Sequence, residues 1–197
     1  MNSKTVLITG GASGIGKAMV KKFAAEGSLA YFIDTNHIEG TKLQIEEHEK
    51  GFHVKFLEGS ISDFAQLEKL IHHIPGKIDV LINNAGTSIS KPLLEQSEAD
   101  WDRVMNTNLK GAWLVATEAA RRMVAAKQGG SIINIASILG ERQIYGVAPY
   151  AISKAGVLQT TKTMALELAR HHIRVNAILP GYVITDLNRD FLNSELG

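Results

Sequence analysis

Short apolar runs rich in β-branched residues recur along the chain, each followed by a longer stretch whose apolar positions return every three or four residues. TVLIT (5–9), LAYFI (29–33), HVKFL (53–57), IDVLI (78–82), SIINIA (131–136) and IRVNAIL (173–179) read as strands. Most are apolar on both faces, which suits a sheet covered on each side rather than one open to water. The segments at about 15–26, 37–50, 63–73, 98–127 and 150–171 read as helices. Strand and helix alternate, so the pattern predicts an α/β fold: a doubly wound parallel sheet with helices on both faces and right-handed crossovers. With no internal repeat, low-complexity segment or linker, a single domain over 1–197 is expected.

The first strand runs directly into TGGASGIG, Thr9 to Gly16, and then into a helix. Gly10, Gly14 and Gly16 stand where a chain must turn sharply and a backbone must approach something closely. At the carboxyl edge of a sheet, with a helix N-terminus behind, that something suits a pyrophosphate, and the sheet is then Rossmann-type. The spacing G-x-x-x-G-x-G differs from the commonest dinucleotide fingerprint, and a tight turn without a ligand also explains it. A ligand-free turn does not call for an acid at the end of the second strand, yet Asp34 stands there. A carboxylate in that place accepts hydrogen bonds from an adenosine ribose and repels a 2′-phosphate. Neither Thr35, Asn36 nor Ser13 supplies a basic side chain, so NAD is expected over NADP.

Composition narrows the field. Net charge is +1 and no long run of one sign occurs, which gives no reason to expect nucleic acid or a membrane surface. The opening MNSKTVLITGG is expected to be neither signal peptide nor span. Without cysteine there is no disulfide, thiolate metal site or cysteine nucleophile, and the expected compartment is the cytoplasm. The pairs His72–His73 and His171–His172 point to different sides of a helix, so they are expected at the surface and no metal is expected.

PYAISKAG, residues 149–156, places Tyr150 and Lys154 four apart, on one face if the segment is helical. Alone, that is equally a half-exposed helix face. Taken in order, however, TGGASGIG, NNAG (83–86), Ser137, Tyr150-x-x-x-Lys154 and PG (180–181) resemble the short-chain dehydrogenase/reductase family over nearly the whole chain. Asn108, in NTNLKG, falls where that family places its catalytic asparagine.

The resemblance implies hydride transfer between NAD(H) and a secondary alcohol or ketone. Tyr150 would be the general acid/base, and Lys154 would favour the tyrosinate and hold the nicotinamide ribose. Ser137 would bond the substrate oxygen, and Asn108 would hold a water linking Lys154 to solvent. Cofactor contacts are implied from Gly10, Ser13, Gly14, Ile15, Gly16, Asp34, Ser60, Ile61, Ala85, Gly86, Tyr150 and Lys154, and near the carboxamide from Pro180, Gly181, Val183 and Thr185. Asn83 is either a further contact or a bridge between strands. Gln143 joins Ser137 and Tyr150 as an expected substrate contact. The helices near 98–127 and 150–171 would pack against a second subunit in a homodimer or homotetramer, or else lie buried within one.

Two departures stand out. Ser60 occupies the position at which the family usually has an adenine-reading Asp. The chain stops at Gly197, so the helical lid and seventh strand usual in the family are absent from it. Either the biological protein is longer, or this is a truncated, non-catalytic NAD-binding relative. The substrate stays open among a polyol or sugar acid, a β-ketoacyl group and a small cyclic ketone. A sugar-nucleotide epimerase or dehydratase of the extended branch is disfavoured, because its TGxxGxxG turn is not present.

Overall fold

The computed structural model describes residues 3–184. Six parallel strands form one sheet: β1 (Thr5–Thr9), β2 (Leu29–Asp34), β3 (Val54–Glu58), β4 (Val80–Asn83), β5 (Gly130–Ile135) and β6 (Ile173–Ile178). Their order is β3-β2-β1-β4-β5-β6. Between them run α1 (Gly14–Ala25), α2 (His37–Glu49), α3 (Phe64–His72), α4 (Glu98–Met105), α5 (Ala112–Ala126) and α6 (Ala148–Leu168). This is the doubly wound Rossmann-type arrangement, with strand order reversing between β1 and β4.

The apolar-throughout strands are explained by two cores, one on each face. Along β1, Val6 and Ile8 join Val20, Ala24, Phe32 and Leu43. Leu7, on the opposite face, joins Leu81, Val115, Met123 and Ile132. The period-two alternation therefore distributes one strand between two helix layers. Fully burying each Val, Leu, Ile, Phe or Met among them contributes about 1.5–3 kcal/mol.

Hydrophobic periodicity predicts one long helix over 98–127; the structure instead has α4 and α5 joined by a wide π-type turn, Asn106–Gly111. Asn, Thr and Gly in NTNLKG have low helix propensity, and a single widened turn leaves the flanking apolar periodicity intact. Gly111 is required there because a Cβ would lie 2.8 Å from the Ile61 carbonyl oxygen. The last helix begins at Ala148, with Pro149 in its first turn, and gives way to a short 3₁₀ turn at Ala169–His171.

Candidate active site

The site gathers where β1 and β4 part, at the carboxyl edge of the sheet. The glycine turn needs its glycines. Gly10 and Gly14 adopt φ of +67° and +50°. A Cβ on Gly16 would stand 1.9 Å from the Gly10 carbonyl oxygen, so α1 approaches the turn more closely than any other residue permits. Ser13 is the extended residue preceding α1, and Ile15 lies in its first turn. The NNAG segment clamps this turn from the far side. The Asn84 amide nitrogen donates to the Thr9 and Gly10 carbonyls at 3.1 and 3.0 Å. The Thr9 hydroxyl oxygen accepts from the Asn84 and Ala85 amides, each at 3.0 Å. Asn84 and Thr9 are site residues that sequence reasoning does not single out; both lie inside the quoted motifs, but only the β1–β4 junction reveals their pairing.

Asp34 ends β2 with its carboxylate held by backbone donors: Ala12 N–H on Oδ2 and Asn36 N–H on Oδ1, both at 2.9 Å. The first bond ties the acid to the glycine turn. Ser60 bonds Ser62 through their hydroxyls at 2.7 Å, beside buried Ile61. A close-packed, positive-φ turn, a helix N-terminus and an acid tied to that turn are what a dinucleotide requires, and these residues fit one.

Of the two asparagines beginning NNAG, Asn83 turns into the core. Its amide nitrogen donates to the Ala112 carbonyl at 2.9 Å and to Asn134 Oδ1 at 3.0 Å. Asn134 in turn donates to the Thr161 hydroxyl at 2.9 Å. This buried chain links β4, β5, α5 and α6, with the Asn83 side chain as the bridge between strands.

The π-type turn carries Asn108 inward, where it is only 1% exposed. Its Oδ1 accepts from Thr87 N–H at 2.8 Å, while Nδ2 donates to Thr87 O at 2.9 Å and Ser153 Oγ at 3.1 Å. Both amide hydrogens are thus committed. Ser153 passes its own hydroxyl hydrogen to the Tyr150 carbonyl at 2.7 Å, which joins the turn to α6. Gly86 leaves the space beside Asn108 and Lys154 open: a Cβ there would be 3.4 Å from Asn108 Oδ1 and 3.6 Å from Lys154 Nζ.

On α6 the i,i+4 spacing does what the sequence predicts. Lys154 Nζ sits 5.6 Å from the centre of the Tyr150 ring. The lysine is 5% exposed and donates to the Ile135 carbonyl at 2.7 Å. Burial pushes its ammonium from the usual 10.5 down to about 8. Ser137, just past β5, accepts at Oγ from Leu139 N–H at 3.1 Å. Pro180 reaches this turn through its carbonyl, which accepts from Ile138 N–H at 3.1 Å, and a Cβ on Gly181 would lie 3.9 Å from Ile138. Gly140 brings the turn flush with α6, since a Cβ would lie 3.0 Å from the Lys154 carbonyl carbon. Asn108 and the Tyr150–Lys154 face of α6 therefore meet beside Gly86, and Ser137 opens the turn after β5 that packs on α6 through Gly140.

The rim is more polar and more exposed. Lys91 N–H donates to the Gly146 carbonyl at 2.8 Å, joining the loop after β4 to the loop before α6. Lys91 Nζ also bonds Asp100 at 2.7 Å, and that contact, with bonds from Ser97, holds the Asp100 carboxyl at about 2. Gln143, Tyr145, Tyr182 and Val183 are exposed around this rim. Thr185 lies outside the described residues. Two open grooves among the described residues lie elsewhere: one of about 430 Å³ between α5 and α6, and one of about 500 Å³ along α2.

The short chain dehydrogenase family model matches residues 4–195, and the chain belongs to that family. It is 37% identical to the (3R)-3-hydroxyacyl-CoA dehydrogenase of Rattus norvegicus, over 96% of this chain and 77% of that protein. It is 38% identical to the 3-oxoacyl-acyl-carrier-protein reductase FabG of Thermotoga maritima, over 95% and 77% respectively. Among solved structures, a gluconate 5-dehydrogenase from Burkholderia cenocepacia in complex with NADP and tartrate superposes with a TM-score of 0.91 at 33% identity, covering 99% of this chain and 77% of that one. The class is that of oxidoreductases acting on CH–OH groups with a nicotinamide cofactor.

Proposed function

We propose that the protein is an NAD(H)-dependent dehydrogenase or reductase of secondary alcohols and ketones, with residues 1–197 contributing one dinucleotide-binding and catalytic domain. The convergence of Tyr150, Lys154, Ser137 and Asn108 beside the glycine turn carries this reading. The bound nicotinamide supplies the hydride acceptor in oxidation and the donor in reduction. Tyr150 takes the hydroxyl proton in one direction and returns it in the other. It does so beside Lys154, whose positive charge favours the phenolate. The Ser137 hydroxyl donates to the substrate oxygen and steadies it as charge develops. Asn108 contributes by position: its carboxamide locks the Thr87 backbone to α6, and it would hold the water that links Lys154 to solvent. Lys154, Tyr150 and the segment from Pro180 to Val183, with Thr185, would orient the nicotinamide end. Gly10 to Gly16, Asp34, Ser60, Ile61, Ala85 and Gly86 would hold the adenosine and pyrophosphate.

Asp34 supports NAD over NADP, because its carboxylate is pinned beside the glycine turn where a 2′-phosphate would be repelled. For substrate, the class is a hydroxyacyl or sugar-acid type, in line with the named relatives. Gln143 and Ser137 offer polar contacts, and exposed Ile144 and Tyr145 offer apolar ones. Self-association through α5 and α6 is supported by their groove, which is lined by Leu109, Trp113, Gly156 and Met164. A cytoplasmic location accords with the cysteine-free sequence. Among the described residues no helix is long and apolar enough to cross a membrane.

The test is a panel of 3-hydroxyacyl thioesters, sugar acids and simple cyclic alcohols, each with NAD and NADP, followed by nicotinamide absorbance. Reduction of NAD by a panel member is expected. Dinucleotide binding in calorimetry with no turnover on any member would favour the non-catalytic relative instead.

A further inference from the structure

At the adenosine end, a second acid stands one strand beyond Asp34. In the β2–β3 register Asp34 is paired with Glu58, which ends β3, so the two lie on adjacent strands separated by about 4.8 Å. Glu58 is engaged. The His37 imidazole donates from Nδ1 to Glu58 Oε2 at 2.8 Å across the β2–α2 turn. His37 is the only basic side chain between Asp34 and Lys42. Lys17 of α1 is likewise taken by a glutamate, Glu39 in the first turn of α2, at 3.1 Å.

We propose that Glu58 is a second determinant of cofactor choice, acting by engaging the His37 imidazole that a 2′-phosphate would otherwise take as its counter-cation. The inference rests on the dinucleotide reading above. A 2′-phosphorylated ribose meets two separate obstacles at this edge. Asp34 repels it directly, and Glu58 engages the one basic side chain between Asp34 and Lys42 that could offset that repulsion. An unphosphorylated ribose needs only acceptors, which Asp34 supplies, so the His37–Glu58 pair costs it nothing. The pair is solvent-exposed, so its leverage is modest, about fivefold in affinity ratio. Asp34 remains the stronger determinant.

The test is titration calorimetry of NAD and NADP against the wild type, Glu58→Gln, and the double variant His37→Ala with Glu58→Gln, all in one buffer. In Glu58→Gln, NADP is expected to tighten about fivefold relative to NAD, with NAD affinity little changed. The double variant is expected to return to the wild-type ratio, because the freed imidazole is gone. An unchanged ratio in Glu58→Gln overturns the proposal. So does a gain that persists in the double variant, which would assign the effect to the Glu58 charge alone. A wild type that binds neither dinucleotide overturns the dinucleotide reading itself, and this inference with it. Circular dichroism of each variant confirms that the exposed substitutions leave the fold intact.

Discussion

Replacing Lys154 with methionine removes a buried ammonium while retaining much of the side chain's packing stem. In the folded protein burial brings that ammonium from 10.5 to about 8. Its pKa is thus lower in the folded than in the unfolded chain. Between those values the unfolded chain binds more protons, so stability rises with pH across that window and the cost is fully present below it. At pH 7 the cost of keeping Lys154 charged and buried is roughly 3 kcal/mol, at about 1.4 kcal/mol per unit. By about pH 10 most of it is relieved, a change of roughly 2–3 kcal/mol. Methionine also leaves the Ile135 carbonyl without its 2.7 Å donor, a pH-independent loss of about 1–3 kcal/mol. The slope, not the offset, is therefore diagnostic. Urea unfolding of both proteins without cofactor, from about pH 7 to about pH 10, should show wild type gaining roughly 2–3 kcal/mol relative to Lys154→Met. Lys22 and Lys50, whose pKa values are raised by Glu26 and Glu47, titrate in both proteins and cancel in the difference. A difference that stays flat across the range would refute the claim that Lys154 is a destabilising, desolvated cation.

Other consequences are quick to check. Gly16→Ala should cost about 3 kcal/mol or more in denaturant unfolding, because its Cβ collides with the Gly10 carbonyl rather than with a side chain that can move. Asn84→Ala removes two donors from the glycine turn and should weaken NAD binding by about tenfold in calorimetry, with a stability loss of about 1–3 kcal/mol. Thr161→Val leaves the buried Asn134 amide unpaired and should lower stability by about 1–3 kcal/mol, although residue 161 lies two turns along α6 from Lys154.

What could be read from the sequence divides along the range of the forces involved. Strands such as TVLIT declared themselves because burial on both faces demands a run of apolar residues, here Val6, Leu7 and Ile8. Gly10, Gly14 and Gly16 could be read because only glycine tolerates their φ or their clearance. The π-type turn at Asn106–Gly111 could not, because hydrophobic periodicity does not register one widened turn. Nor could the partners of Asn108: Thr87 and Ser153 are remote in sequence, and only the packing of α6 against the β4 loop brings them together. Asn83 and Asn84 are adjacent and chemically identical. Their split into a core bridge and a turn clamp follows from the alternating faces at the end of β4, visible once the strand's last residue is fixed.

The acid/base role of Tyr150 is tested by Tyr150→Phe, assayed for hydride transfer on whichever panel substrate the wild type turns over. The substitution deletes one oxygen and leaves Lys154 bonded to Ile135. A rate lower by about 10²–10⁴ is expected, with NAD affinity little changed. A variant that turns over at the wild-type rate would contradict the assignment of Tyr150 as the acid/base.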